Sequence, residues 1–184
     1  STSAARTRAS DGLKGKDFSS WLRNPAQADV HSIRPSSLYN FDMLSFQDPK
    51  WAAMTVDTRA YRADTPEKQL AALAGNPPNF LNRVAIRSIW DGRYRFSRYF
   101  SPVRFNTPKS LEELFEKNDI EVYDRREDPE EMNNLAVDRK KNGDLILALN
   151  QEANRRIAEE VGEDNGHFLP IRDGKWKFPP TRER

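Results

Sequence analysis

Hydrophobic and polar positions change rhythm along this chain, and each rhythm predicts an element. Between Val84 and Phe100 they alternate on either side of Asp91-Gly92, as in half-buried strands flanking a tight turn. A turn made by Asp91 and Gly92, with the positive φ angles that suit strand twist, sets Ile89 opposite Tyr94, Arg87 opposite Phe96 and Trp90 opposite Arg93. Tyr94, Phe96 and Phe100 then share an apolar face, while Arg93, Arg95 and Ser97 point the other way. Ile120, Val122 and Tyr123 predict another strand, with Glu121 free to face water.

The period lengthens near the C-terminus. Leu145, Leu149, Ala153, Ile157 and Val161 recur every four residues, the stripe of an amphipathic helix. It should begin near Asn142–Asp144 and stop at Gly162. A shorter helix over Ser110 to Lys117 turns Leu111, Leu114 and Phe115 inward. Between the Ile120 strand and the long helix, Asp128 sits where a cap belongs, Pro129 takes the first helical position and Glu131 follows three residues after the cap. That order predicts one tight helical turn, with Leu135 as its apolar anchor.

The first part of the chain is less regular. Leu38 to Leu44 suits a buried strand or a short helix, which periodicity cannot separate. Ser45 to Asp64 reads as loop, with Trp51 and Tyr61 as aromatic anchors. Thr65-Pro66-Glu67 starts a short helix through Leu70 and Leu73 that Gly75 stops, and Asn76-Pro77-Pro78-Asn79 breaks the chain. Ser1 to Asp11 is a polar lead-in and Gly174 to Arg184 a charged tail. Leu13, Phe18, Trp21 and Leu22 could form a small docking patch. The fold class is therefore α+β: a small antiparallel sheet packed against a C-terminal helix, with a loop-rich N-terminal part.

Composition narrows this. A chain of 184 residues can bury a core, yet only 36% of it is hydrophobic and 32% is charged, with a mean hydropathy of −0.88. That is polar for a self-sufficient domain and suits a piece whose core is completed by a neighbour. A net charge of +2 does not demand nucleic acid. No apolar run approaches a membrane span, and any secretory signal would lie upstream.

Candidate chemistry is sparse. There is no Cys, hence no disulfide, thiolate ligand or cysteine nucleophile. His31 and His167, the only histidines, read as surface or capping residues. Asp42, Asp48 and Asp57 could ligate a hard cation but lack a metal-loop spacing. Glu112, Glu113 and Glu116, like Glu130 and Glu131, read as solvated acidic faces. Arg93, Arg95 and Arg98 interleave with Tyr94, Phe96 and Tyr99, which superficially suits stacking on nucleic acid; alternation, however, sends most rings and most arginines to opposite faces.

Several segments resemble type I sulfatases of the alkaline-phosphatase superfamily. Glu121-Val122-Tyr123-Asp124, then Asp128-Pro129-Glu130-Glu131 and Asn134-Leu135-Ala136, is similar to their C-terminal signature, with Val122 and Arg125 replacing leucines. Asp91, Gly92, Arg93, Tyr94, Phe96, Arg98, Tyr99 and Phe100 match a second motif, and Glu160-Val161-Gly162 through Leu169-Pro170 resembles the family's usual end. Asn150 and Asn154 fit its Leu-Asn-x-x-x-Asn pattern. Gly12 to Leu22 resembles the segment that follows the catalytic domain, with Lys14 in place of a proline.

The resemblance implies a division into residues 1–30 as a linker from a catalytic domain, 31–82 as a loop-rich segment with a short strand and helix, 83–170 as the C-terminal subdomain, and 171–184 as a tail. It implies that Ser1 is not a natural beginning. It further implies hydrolysis of sulfate esters by a formylglycine and a Ca2+ ion held in the N-terminal catalytic domain, which would be this chain's partner. No catalytic or metal residue carries over: Ser101-Pro102-Val103-Arg104 has the wrong spacing for the serine form of the nucleophile motif. Arg34, Trp51 and Tyr61 are candidates for the rim of the substrate cleft. A phosphonate or phosphate ester hydrolase with the same ending, or a stand-alone interaction module, are the alternatives. The subdomain alone should be inactive.

Overall fold

A computed structural model describes residues 14–29, 31–42, 48–57, 78–163, 171–172 and 175–176. The predicted helix at Thr65–Leu73, together with Leu13, Tyr61 and His167, lies outside the described residues. A four-stranded antiparallel sheet runs in chain order through β1 (Ser37–Phe41), β2 (Ala85–Trp90), β3 (Tyr94–Phe100) and β4 (Asn118–Asp124). Helix α1 (Ser19–Arg23) and α2 (Pro49–Asp57) belong to the N-terminal part; α3 (Leu111–Lys117) leads into β4, and the 22-residue α4 (Arg139–Glu160) follows it. Ile171–Arg172 and Lys175–Trp176 pair as a small ribbon (β5 and β6) inside the stretch expected to be tail.

One face of the sheet makes the core. Ile89, Phe96, Ile120 and Val122 pack with Leu114 of α3 and with Ile146, Leu149 and Ala153 of α4. Leu38, Leu111, Phe115, Leu135 and Leu145 close its margins. The long helix starts earlier than its stripe suggests, at Arg139, because the Asp138 carboxylate accepts from the Lys141 N–H and caps it. Its inward face includes Ile146, while Val161 is 53% exposed beyond the last turn. At its end Gly162 takes φ 100° and donates to the Ile157 carbonyl, a conformation that suits glycine.

The hairpin is shifted. Ile89 pairs with Phe96, Trp90 with Arg95 and Arg87 with Arg98, two residues along from the expected register. The Asp91 Oδ1 accepts from the backbone N–H groups of Arg93 and Tyr94, and the Asp91 N–H bonds the Tyr94 carbonyl. Gly92 and Arg93 are therefore the turn, with Gly92 at positive φ (96°), a conformation that glycine adopts readily. A shift of two residues preserves alternation, so the predicted apolar face survives.

Helix α2 replaces part of the expected loop. Asp48 accepts from the N–H groups of Lys50 and Trp51, and also from Asn79; Pro49 occupies the first helical position. The same cap-and-proline order at Asp128-Pro129 gives no helix. Asp128 accepts from Met132 and Asn133 instead, its carbonyl takes the Glu131 N–H in a turn, and Glu131 lies at φ 58°. The only helical piece there is a short 3-10 turn at Leu135–Val137.

Asn134, just before that turn, seals the edge of β4. Its side-chain Nδ2 donates to the Ile120 carbonyl, while its Oδ1 accepts from Val122 N–H and Ala136 N–H. One amide thus substitutes for a missing neighbour strand, which blunts an edge that would otherwise invite pairing. Asn134→Ala should lower stability by about 1–3 kcal/mol, since backbone groups on a half-buried edge lose their partners. Urea titration checks this; an unchanged midpoint would mean water replaces the amide without loss.

Candidate functional site

Alternation puts Tyr39, Ile86, Ser88, Trp90, Arg95, Ser97, Tyr99, Glu121 and Tyr123 on the sheet face away from α4. A solvated face of an antiparallel sheet is normally polar. This one is rich in rings: Tyr39 is 56% exposed and stacks beside Phe41 at 6.3 Å, and Trp90 is 37% exposed. Ser88 and Ser97 lie buried between the larger side chains, their hydroxyls 2.8 Å apart. The Tyr99 hydroxyl donates to Glu121 at 2.8 Å. Burial, reinforced by that carboxylate, pushes its pKa up to about 12, so it remains a donor through the physiological range.

The arginines beside this face are committed. Arg95 lies over the Tyr123 ring and pairs with Glu131, which also takes Arg125. Arg93 grips Asp124 through Nε and a terminal nitrogen, the latter at 2.6 Å. Arg98, in contrast, turns into the core at 1% exposure and donates 2.7 Å bonds to the amide oxygens of Asn150 and Asn154 on α4. Both amide nitrogens then hold the Pro108 carbonyl. The asparagine pair is thus a clamp joining helix, sheet and the 105–109 loop, and Arg98 is one of two arginines, with Arg87, that the hairpin buries. Arg93, Arg95 and Arg98 are thus each bonded to side chains of this chain.

Arg93 holds the Asp124 carboxyl below its ordinary range, helped by backbone N–H bonds. A carboxyl whose folded pKa is depressed stabilises the fold above its unfolded value and loses that contribution as pH falls through the folded one. Stability should therefore decline on acidification from about pH 4 downward, and Asp124→Asn should flatten that acid limb. Thermal melts of both proteins between neutral and acid pH check it; parallel pH profiles would overturn it.

Arg34 lines a cleft of about 500 Å³. Phe18 and Trp21 of the N-terminal segment form one side; Ile33, Pro35, Leu38 and Trp90 belong to the rest of its wall. Arg34 itself is tied to Glu160 at 2.7 Å and to the Lys14 carbonyl at 2.9 Å, fastening residues 14–34 to the end of α4. Trp51 does not share this cleft and is 9% exposed, seated as an anchor of α2. The structure therefore separates Arg34 from Trp51, and the third rim candidate, Tyr61, lies outside the described residues.

His31 is exposed, with its ring Nδ1 3.0 Å from the Pro35 carbonyl. Asp42 pairs with buried Arg87 and Asp48 caps α2. Glu113 accepts from the Lys109 N–H ahead of α3. Among the described residues no group of three or more His, Cys, Asp or Glu side chains converges as if to hold a metal ion. No described helix is long and apolar enough to cross a membrane. The aromatic cleft escaped sequence reasoning because Trp21 and Trp90 stand far apart in the chain; the only signal was the apolar cluster around Phe18. No protein-family model matches the chain, and no curated protein matches it either.

Proposed function

We propose that this chain is the C-terminal subdomain of a sulfatase-type enzyme that hydrolyses sulfate esters, and that it completes the fold and shapes the cleft rim of a catalytic domain. The observation that carries this reading is the ring-rich second face of the sheet. With Tyr39 and Trp90 accessible and Tyr99 and Tyr123 half-buried, that face suits contact with a larger neighbour better than contact with water. The sulfatase-like segments support it, because their side chains act here as turn, edge and clamp groups: Asp91, Asp124, Asp128, Asn134 and Asn150 all bond within the chain. They carry no reaction themselves. The formylglycine and Ca2+ of such an enzyme would be supplied by the catalytic domain, and no step is assigned to residues of this chain.

The test is reconstitution. The chain alone should leave 4-nitrophenyl sulfate intact, whereas a complex with the polypeptide encoded upstream should hydrolyse it faster than 4-nitrophenyl phosphate. Tyr39→Glu together with Tyr123→Glu should abolish the association without unfolding the chain. Turnover by the chain alone, or a phosphate ester preferred by the complex, would overturn the assignment.

A further inference from the structure

Independently of that reading, we propose that the cleft beside Arg34 binds an uncharged, planar aromatic molecule. Its capacity, about 500 Å³, falls within the range of small-molecule sites, which are mostly apolar with a few fixed polar groups. Phe18, Trp21 and Trp90 supply three ring systems, with Ile33, Pro35 and Leu38 as aliphatic wall. The named polar groups in the wall are already engaged. Arg34 is neutralised by Glu160, the Ser36 hydroxyl donates to Glu152 at 2.6 Å, Asp91 accepts from the hairpin turn, and the Trp21 indole N–H donates to Ser32 at 2.7 Å.

A charged ligand entering here would give up hydration without gaining a free counter-charge, and burying a charge unpaired is unfavourable. Ring faces and aliphatic surface are what remain on offer, and these favour another flat ring through stacking. Ser37 also belongs to the wall, and its hydroxyl is a neutral group suited to one polar substituent on such a ring.

Prodan, a neutral naphthalene dye, and 1-anilinonaphthalene-8-sulfonate, an anionic dye of similar ring system, distinguish the possibilities. Titrated into the 184-residue chain, prodan should bind saturably at one site, with a blue-shifted emission and quenching of tryptophan fluorescence. The anionic dye should bind at least about tenfold more weakly. Trp21→Ala should weaken prodan by about tenfold, and so should Phe18→Ala, a change at a residue too exposed to endanger the fold. Val137→Ala, 82% exposed and outside the cleft wall, should leave binding unchanged. Equal affinity for both dyes, or prodan binding indifferent to Trp21 and Phe18, would overturn the proposal. Loss of the prodan signal as the chain self-associates would also overturn it and assign the cleft to a second copy.

Discussion

Leu149→Asp is expected to leave the chain unfolded in buffer at 25 °C. Leu149 is 5% exposed and packs among the sheet residues and Ile146 and Ala153 in the core. Deleting a buried leucine side chain already costs about 2–5 kcal/mol. The aspartate adds the penalty of a carboxyl without a partner, several kcal/mol even if it takes up a proton rather than remaining charged. Whole domains are stable by only about 5–15 kcal/mol, so the sum is comparable to everything available. Far-UV circular dichroism should lose its helical band. Leu149→Met, nearly equal in volume, should cost less than about 1.5 kcal/mol. A cooperative melt for Leu149→Asp close to that of the parent would mean α4 does not seal the sheet.

Asn150→Ala should be the next most damaging change. Asn150 is 0% exposed; its oxygen accepts from Arg98 and its nitrogen donates to the Pro108 carbonyl. Truncation removes one acceptor from a buried guanidinium and one donor from a loop carbonyl at once. We expect a loss of about 2–4 kcal/mol by urea titration. Asn154→Ala should cost less, because that residue is only part-buried and Asn150 would remain to hold both partners. Combining Arg98→Met with Asn150→Leu should cost less than the two single changes added together, since removing both ends leaves less uncompensated polarity. Strict additivity would show that the two side chains do not stabilise each other.

Two identical local signals illustrate where sequence reasoning ends. Asp48-Pro49 and Asp128-Pro129 both carry a capping carboxylate followed by a proline. At the first, the carboxylate reaches the N–H groups two and three residues on, and a helix follows. At the second, Arg95 and Arg125 hold the Glu131 carboxylate beside the sheet, and the backbone at Glu131 lies in the left-handed region, which no α-helix can pass through. The caps are alike, but Ala52-Ala53-Met54 favours helix where Asn133-Asn134 does not. The rest of the difference lies in the ion pair to Arg95, on a strand thirty-odd positions away in the chain.

The hairpin shows the same division. Alternation alone required that Tyr94, Phe96 and Phe100 share a face, and a register change of two residues cannot alter that. Which residues formed the turn depended on whether the Asp91 side chain would bond its own backbone. Alternation also placed Arg98 on the apolar side, where the asparagines of α4 bond its guanidinium.

Periodicity, the spacing of apolar positions and the placement of capping residues were enough to define an antiparallel sheet, its backing helix and Leu149 at their junction. These are short-range properties, set by backbone geometry that repeats every two or every 3.6 residues. The route of the Asp128 turn, the burial of Arg98 and the meeting of Trp21 with Trp90 around one cleft were decided only in the folded chain. Each depends on free energy gained between side chains distant in sequence, where packing and charge pairing outweigh local preference.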